Sequence, residues 1–305
     1  MIKAAILWAL ALLLAYSAVL LVPAVSKRSA VQGHVQENIV RYQDYATASP
    51  LPSTVIVGTS LSRRLAPPVE AGTCANLSLS GGNVLTGLDF VGSQPHLPEA
   101  VFVETTMITQ LGGDEAVLAN VNRPVFAMAR RHIPALRERF QPANLAAFVL
   151  GNDLLRPALS ATGLPLVAPG VSHKVVSRQA WQAARDRAVR ERSTPFDPPK
   201  LDRLCAELRQ KIESLQARGV RVTLMELPHD PQVMATTRYR QVSTAVRQAL
   251  PEAQFAWLPP PRPHDFATTD GIHLTDEELE PIEKEIAHRI TALRALPNGR
   301  LQASR

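Results

Sequence analysis

The chain has 305 residues, of which 46% are hydrophobic and 5% aromatic, and it carries a formal charge of +6 with a pI near 9.7. Such a composition is typical of a globular α/β protein with a sizeable core and excludes an intrinsically disordered chain. The positive charge favours anionic surroundings such as membrane headgroups or acidic glycans. Nucleic acid is set aside as a partner, because the sequence has neither zinc-finger spacing nor an aromatic-basic RNA-binding signature.

The first segment, residues 4–26, carries no charge and is long enough to cross a bilayer as a helix. Charged residues lie on both sides of it, so charge does not determine its orientation. A signal peptide would need small residues at a cleavage site, and Val22-Pro23-Ala24 could serve. The apolar run is longer than is usual for a signal peptide, which favours a transmembrane anchor at residues 1–26. In either case we expect the rest of the chain to be exported.

A polar stalk is expected over residues 27–52, and one domain over residues 53–305. Strands are predicted near residues 54–57, 74–79, 100–104, 220–226 and 254–258, and helices near residues 61, 83–91, 200–218, 238–250 and 276–293. Apolar strands separated by helices imply a parallel sheet joined by right-handed crossovers. The predicted fold is therefore a three-layer α/β/α domain with a central parallel sheet, of flavodoxin-like type. Gly219 is expected to end the longest helix as a C-cap.

Residues 107–199 interrupt this alternation and are interpreted as a helical insertion, because they are far longer than an ordinary connection. Pro124 and Pro134 divide the insertion into short helical pieces. Its basic run, residues 178–192, bears Trp181 and has two interpretations. Insertions over the carboxyl edge of a sheet are often lids or docking elements, but an ordinary solvated helix is favoured.

Residues 54–62 have the sequence TVIVGTSLS and give the most direct indication of a functional site. Residues 54–57 are typical of a strand buried on both faces, and Gly58 of a sharp exit from it. Ser60 then lies at the carboxyl end of the strand, where open α/β sheets bind ligands and present nucleophiles. A serine at such a junction can also cap a helix, and taken alone the motif favours capping.

Near the other end of the chain, Asp270 and His273 supply what a serine nucleophile needs. A base must take the proton of the serine, and a carboxylate holds the imidazole of that base in one tautomer. A glycine between the two residues allows a turn that aims both side chains at one point. Thr275 and Glu278 form a capping-box pattern, which places the pair on the loop that enters the last helix.

Two further pairs, His229-Asp230 and His264-Asp265, could join Asp270 and His273 in a metal site with oxygen and nitrogen ligands. Neighbouring prolines indicate turns, in which His and Asp commonly serve as hydrogen-bonding loop residues. Neither a metal nor a cofactor is therefore expected. His229 remains a candidate for lining the cleft, because it follows a predicted strand at its carboxyl end.

The two cysteines, Cys74 and Cys205, permit one disulfide, which an exported location would preserve. A structural alternative is stronger for Cys205, because it shares an apolar stripe with leucines and an isoleucine on one helix face. Their spacing indicates no zinc site.

The GTSLS run at residues 58–62 resembles the Gly-Asp-Ser-Leu-Ser block of the SGNH (GDSL-like) hydrolase superfamily, with Thr59 in place of the aspartate. The segment from Asp270 to His273 is similar to the closing Asp-x-x-His block. The NLSLSG run at residues 76–81 resembles the second block, whose glycine donates a backbone amide to the oxyanion. The resemblance extends over residues 54–106 and 220–293.

The third block departs from the family, which usually has Gly-x-Asn-Asp after the third strand. This chain has Glu104-Thr105-Thr106 there. Thr105 or Thr106 is the candidate substitute donor, and Gly151-Asn152-Asp153 lies too far beyond the expected strand end. Because a carboxylate opposes a developing oxyanion, Glu104 is expected to point away from it and to bond loop amides.

The resemblance implies a serine esterase or O-acyltransferase, in which Ser60 attacks, His273 acts as base and Asp270 orients it. The backbone amides of Ser60 and Gly81 would hold the oxyanion. The implied substrate is an O-acylated glycan of the cell envelope or an exopolysaccharide, or a small ester, and the acyl group is expected to be acetyl.

The implied location is the inner membrane, crossed once, with the catalytic domain in the periplasm or otherwise outside the cytoplasm. A membrane-bound acyl-transfer partner would fit this setting. Two alternatives stay open: a catalytically silent SGNH-like module that binds a glycan or an envelope partner, and a metal-dependent hydrolase that rests only on the His-Asp pairs.

Overall fold

The computed structural model describes residues 2–20, 22, 33–110, 115–121, 123–142 and 177–295. The chain forms two compact units, one of residues 1–49 and 115–174 and one of residues 50–114 and 175–305. They are called the helical unit and the sheet unit below. The expected stalk and much of the expected insertion thus belong to one unit, whereas the sequence suggested two separate segments.

The helices are α1 (Ile2–Leu20), α2 (His34–Thr47), α3 (Val84–Ser93), α4 (Glu115–Val121), α5 (Pro124–His132), α6 (Arg178–Ser193), α7 (Pro198–Ala217), α8 (Pro231–Met234), α9 (Thr237–Ala249) and α10 (Asp276–Ala295). The strands are β1 (Thr54–Val57), β2 (Cys74–Asn76), β3 (Ala100–Glu104), β4 (Arg221–Met225) and β5 (Ala256–Trp257). Short 3-10 turns cover Ser62–Arg64, Pro134–Leu136 and Glu138–Phe140.

The five strands form one parallel sheet with the order β2-β1-β3-β4-β5, which confirms the predicted fold class. This is the flavodoxin-like order, in which the strand sequence reverses between β1 and β3. Strands β1 and β3 are buried along their whole length, and their β-branched and aromatic residues favour such a position. Ligands bind in crevices at the carboxyl ends of such strands, so a functional site is expected where the chain leaves β1 and β3.

Helix α10 covers one face of the sheet. Its buried residues recur at helical spacing and pack in one cluster with Ile56 of β1 and Phe102 of β3: Leu279, Ile282, Ile286 and Ile290. Each such side chain contributes about 1.5–3 kcal/mol on burial. The opposite face carries α3 and α7, which contact each other as well as the strands.

The buried stripe of α7 includes Cys205, in agreement with the structural interpretation of that residue. Both cysteines are free thiols. Gly219 adopts a left-handed φ of 87° just beyond α7, and the Val220 amide bonds to the Leu215 carbonyl, which confirms the predicted C-cap.

In the helical unit, α1 is 19 residues long, has a mean hydropathy of 2.0 and is long enough to cross a membrane. Its last turn packs against the segment after α5: Leu20 contacts Ala135 and Phe140, and Tyr16 donates a hydrogen bond to the Phe140 carbonyl (2.5 Å).

Helix α2 lies within residues 27–52, the segment that the sequence suggested as a polar stalk. Tyr42 and Tyr45 are buried, and Gln43 bonds to Asn120 of α4 (2.8 Å). The apolar residues of α2 are few but lie at helical spacing, so one face is buried although the segment as a whole is polar.

Candidate active site

Ser60 stands at the exit of β1, three residues beyond the end of the strand. Gly58 is required there because β1 and β3 approach closely: a Cβ at this position would lie 2.7 Å from Glu104 Cβ and closer still to Ser62 Oγ. The predicted helix near residue 61 is only the 3-10 turn Ser62–Arg64. Ser60 therefore lies in a tight turn and does not cap an α-helix.

Asn76 at the end of β2 holds this turn in place. Its side-chain amide donates to the carbonyls of Ser62 (2.7 Å) and Leu65 (2.9 Å), and the Ser62 and Ser78 hydroxyls bond to each other (2.8 Å). The family resemblance pointed to this block, but the supporting role of Asn76 was not anticipated. Its signal was a polar side chain in an otherwise apolar strand.

Ser60, His273 and Asp270 form a continuous hydrogen-bonded series. His273 Nε2 lies 3.0 Å from Ser60 Oγ, and His273 Nδ1 lies 2.7 Å from Asp270 Oδ2. Some 213 residues separate the serine from the histidine in sequence. The structure thus brings together the three side chains that the sequence proposed as nucleophile, base and orienting carboxylate.

The Asp270 carboxylate is fixed by its own loop. Its Oδ1 accepts from the amides of Ile272 (3.0 Å) and His273 (2.8 Å), and Gly271 takes a left-handed φ of 88° to close the turn. Burial opposes ionisation, but the bonds from His273 and the two amides outweigh it and lower the pKa of Asp270 to about 2. An ionised Asp270 only accepts hydrogen bonds, so Nδ1 of His273 carries the proton and Nε2 faces Ser60 as a base.

The pair lies on the loop before α10, as predicted, but the expected capping box is absent. Among the described residues Thr275 Oγ1 has no hydrogen-bond partner. Glu278 accepts instead from the Ala267 amide (3.0 Å) and bonds to His264 (2.7 Å). Glu278 therefore links α10 to the start of the loop that carries Asp270 and His273, residues 267–275, which is called the catalytic loop below.

The chain after β2 continues alongside the exit of β1. The Leu77 amide donates to the Ile56 carbonyl (2.7 Å) and the Leu79 amide to the Gly58 carbonyl (3.0 Å). Continuing this register places Gly81, which is exposed with a φ of 73°, at the level of Ser60. Its role as an oxyanion donor stays a prediction that this placement supports.

Glu104 points into the turn between β1 and Ser60, as expected of a group that must avoid the oxyanion. The side chain is fully buried, and its carboxylate accepts from the Thr59 amide (2.9 Å), the Thr59 hydroxyl (2.7 Å) and the Met107 amide (3.2 Å). The prediction that Glu104 bonds loop amides is confirmed. The two departures from the family pattern, at residues 59 and 104, contact each other directly.

The hydroxyls of Thr105 and Thr106 form hydrogen bonds with the last residue of β4 and the chain that follows it. Thr105 donates to the Met225 carbonyl (3.3 Å), and Thr106 accepts from the Leu227 amide (2.8 Å) and lies 3.3 Å from the Leu227 carbonyl. A hydroxyl has one proton to donate, so these contacts favour a structural role over oxyanion binding. The rejected candidate, Asn152, lies outside the described residues.

Helix α6 lies along the catalytic loop, in contrast to the solvated helix that the sequence favoured. The Trp181 indole donates to the Thr268 carbonyl (2.8 Å). The backbone of Arg185 approaches so closely that a Cβ on Gly271 would lie 2.8 Å from Arg185 Cα. A basic run without an apolar stripe gives no sign of such a contact, and Trp181 was the one available signal.

The remaining His-Asp pairs are loop residues. Asp230 accepts from the Gln232 amide (2.9 Å) and caps α8, and His229 Nδ1 bonds to the Ile272 carbonyl (2.9 Å). The described part of the chain contains no group of three or more His, Cys, Asp or Glu side chains arranged to hold a metal ion.

Replacing His229 by glutamine is expected to reduce the loss of stability in acid. Burial above all lowers the pKa of this imidazole from 6.5 to about 4, with the Ile272 carbonyl opposing the shift. The unfolded chain therefore gains protons at His229 below pH 6.5 while the folded chain does not, so stability falls from pH 6.5 down to pH 4. Between pH 7 and pH 5 this residue accounts for about 2 kcal/mol of unfolding free energy, measurable by urea titration.

His96→Gln is the matched control, because His96 is an exposed histidine of the sheet unit. It should keep the parental acid dependence. An equal acid loss in the parent and in His229→Gln would contradict the assignment.

No family model matches the chain, and no curated protein matches it. Among solved structures, it is similar to one from Streptococcus pneumonia that is provisionally named a platelet activating factor. The two are 13% identical, the match covers 84% of this chain and 92% of that one, and the TM-score is 0.41. A likeness at this level carries no argument about activity.

Proposed function

We propose that this protein is a serine-dependent esterase or O-acyltransferase of the SGNH type. The observation that carries the proposal is the series Ser60 Oγ, His273 and Asp270, with contacts of 3.0 and 2.7 Å at the carboxyl edge of a parallel sheet. A silent binding module would not require this geometry. The family resemblance described above supports the same proposal, because the similar blocks follow one another along this chain in the order that the family has.

In the proposed reaction Ser60 Oγ attacks the acyl carbon while its proton passes to Nε2 of His273. The negative charge that develops on the carbonyl oxygen is held by the amides of Ser60 and Gly81. His273 returns the proton to the departing alcohol, which leaves an acyl-serine. Water or a second alcohol then attacks this ester by the reverse proton path and frees Ser60.

The proposed substrate is an O-acyl ester, acetyl in the first instance, on a glycan of the envelope or an exopolysaccharide. The net positive charge of the chain supports an anionic polymer as partner. A second candidate function is a catalytically silent module that binds such a glycan. The engagement of both threonine hydroxyls after β3 favours it, because neither hydroxyl is then free to serve as the third oxyanion donor.

We further propose that α1 anchors the protein in the inner membrane, with the sheet unit outside the cytoplasm and a membrane-bound acyl donor as partner. The exposed large apolar residues of the described chain support membrane contact, because those beyond α1 and Val22 also belong to the helical unit: Val35, Val125, Phe126 and Met128. Exposed Arg123 and Arg131 flank the apolar residues of α5, a combination that suits an interfacial helix among anionic headgroups.

Covalent labelling of the detergent-solubilised full chain with a serine-directed phosphonate tests the proposed activity. We expect modification at Ser60, identified by peptide mass, because His273 activates this hydroxyl and not the others. The label should disappear in Ser60→Ala and fall strongly in His273→Ala. Ser93→Ala, which removes an exposed serine at the end of α3, should label like the parent. Absence of label in the folded parent would favour the silent module.

A further inference from the structure

A cavity of about 150 Å³ adjoins the catalytic loop and lies between α6, α9 and the segment after β3. Thr106, Arg192, His229 and Tyr239 contribute to its wall. His229 connects the cavity to the catalytic residues, since its Nδ1 bonds to the Ile272 carbonyl between Asp270 and His273. An engineered cavity of roughly this volume binds benzene, so there is room for one six-membered ring.

Two arginines, Arg192 and Arg238, face this cavity from α6 and α9. The Arg192 side chain is only 15% exposed, and its ion-pair partner among the described residues is Glu191 at 4.0 Å, which is itself 60% exposed. The charge of Asp270 also acts on Arg192. Arg238 donates through Nε to the Thr194 carbonyl (3.0 Å), and this is the contact its guanidinium makes within the described chain. Burial above all lowers the pKa of Arg192, and the nearby charge of Arg238 adds to this shift, whereas the charges of Glu191 and Asp270 oppose it.

Two guanidinium groups that line one partly desolvated cavity repel each other, and an anion bound between them relieves this repulsion. Guanidinium groups bind carboxylates through two parallel hydrogen bonds, which suits a planar monoanion. Glu191 at the rim disfavours a phosphate with its second negative charge. The half-buried Tyr239 ring, held edge to face at 5.4 Å by the buried His229 ring, adds a flat surface of the kind against which a sugar ring can pack.

We propose that this cavity, called here the basic pocket, binds the carboxylate of an acidic sugar. It follows that the enzyme acts on O-acyl groups of a uronic-acid-containing glycan. This inference rests on the proposed esterase or acyltransferase function for its second part, whereas the binding of the acidic sugar can be tested without any reaction.

The test uses the full-length Ser60→Ala protein in detergent, titrated calorimetrically with methyl glucuronoside and, separately, with methyl glucoside. The glucuronoside should bind at least about 10-fold more tightly, because a charge-assisted hydrogen bond to the carboxylate is worth that much. Arg192→Met should remove most of this preference. Arg190→Met, an equal loss of charge on the exposed side of α6, should preserve it.

Arg238→Met provides a second variant in case Arg192→Met fails to fold, and it should likewise reduce the preference. Equal binding of the two sugars by the parent would overturn the proposal, as would inorganic phosphate competing better than glucuronate. A preference for glucuronoside together with an unlabelled Ser60 would keep the basic pocket and remove the enzymatic function. A labelled Ser60 without a preference for the glucuronoside would keep the enzymatic function and overturn the binding of acidic sugars by the basic pocket.

Discussion

Turnover of a small acetyl ester should fall roughly 10⁴- to 10⁶-fold when either Ser60 or His273 is replaced by alanine. The two side chains act as one unit, since the base is useful only to the hydroxyl 3.0 Å away from it. The double replacement should therefore cost little more than either single one. Steady-state kinetics on the parent and the three variants measures this directly.

Asp270→Asn should be nearly as damaging, about 10⁴-fold, although the change removes no volume. The amides of Ile272 and His273 would keep the carboxamide oxygen on their side, as they now keep Oδ1. The carboxamide nitrogen would then face Nδ1 of His273 and force the imidazole proton onto Nε2. A protonated Nε2 cannot accept a proton from Ser60, so the loss should appear in kcat.

The exposed residues His288 and Asp265 supply matched controls for this series. His288→Ala and Asp265→Asn make the same chemical changes away from Ser60 and should leave kcat within a small factor of the parent. Turnover in Asp270→Asn within 10-fold of the parent would show that this carboxylate does not set the tautomer of His273.

The sequence was informative wherever a local pattern determines the structure. The β-branched run of β1 and the apolar spacing of α7 and α10 allow few alternatives, so the sheet and its layers could be predicted. The site could be predicted in part, because a serine after a buried strand and an Asp-x-x-His before a helix each have a limited set of roles. Ser60 and His273 lie 213 residues apart in sequence, and the parallel topology brings them together because it places their loops at the same edge of the sheet.

The features that could not be predicted depend on contacts between distant segments. Helix α2 is polar in composition, and only its packing within the helical unit buries Tyr42 and Tyr45. The basic run of α6 has no pattern that indicates the catalytic loop as its neighbour. Arg192 likewise resembles the other arginines of α6 until α9 brings Arg238 to the same cavity.

Thr59 and Glu104, the two positions at which the sequence differs from the SGNH pattern that it resembles, contact each other, and we expect the two residues to compensate for each other. The residues are 45 positions apart, and both are fully buried. Glu104 takes hydrogen bonds from the amide and the hydroxyl of Thr59. An aspartate at position 59, as in the family, would meet the Glu104 carboxylate at hydrogen-bond distance, and two buried carboxylates so close cannot both be ionised.

Thr59→Asp alone should therefore lower the free energy of unfolding at pH 7 by about 3 kcal/mol or more, because it places a second buried carboxyl against Glu104 with no cation to pair with either. Glu104→Gln alone should cost only about 1 kcal/mol, since a carboxamide oxygen in the place of Oε2 can still accept from the amide and the hydroxyl of Thr59, and only the bond from the Met107 amide is lost. In the double variant the carboxamide can turn its nitrogen towards the new carboxylate and its oxygen towards the Met107 amide, so most of the loss should be recovered.

Urea unfolding of the four proteins closes a double-mutant cycle, in which a coupling of about 2 kcal/mol in favour of the double variant is expected. The single variant Thr59→Asp should also regain stability as the pH is lowered, because protonation of either carboxyl restores a donor between them. Additive effects, with a coupling below about 0.5 kcal/mol, would show that residues 59 and 104 are independent. In that case the residue at position 59 would not explain why a glutamate is buried at position 104.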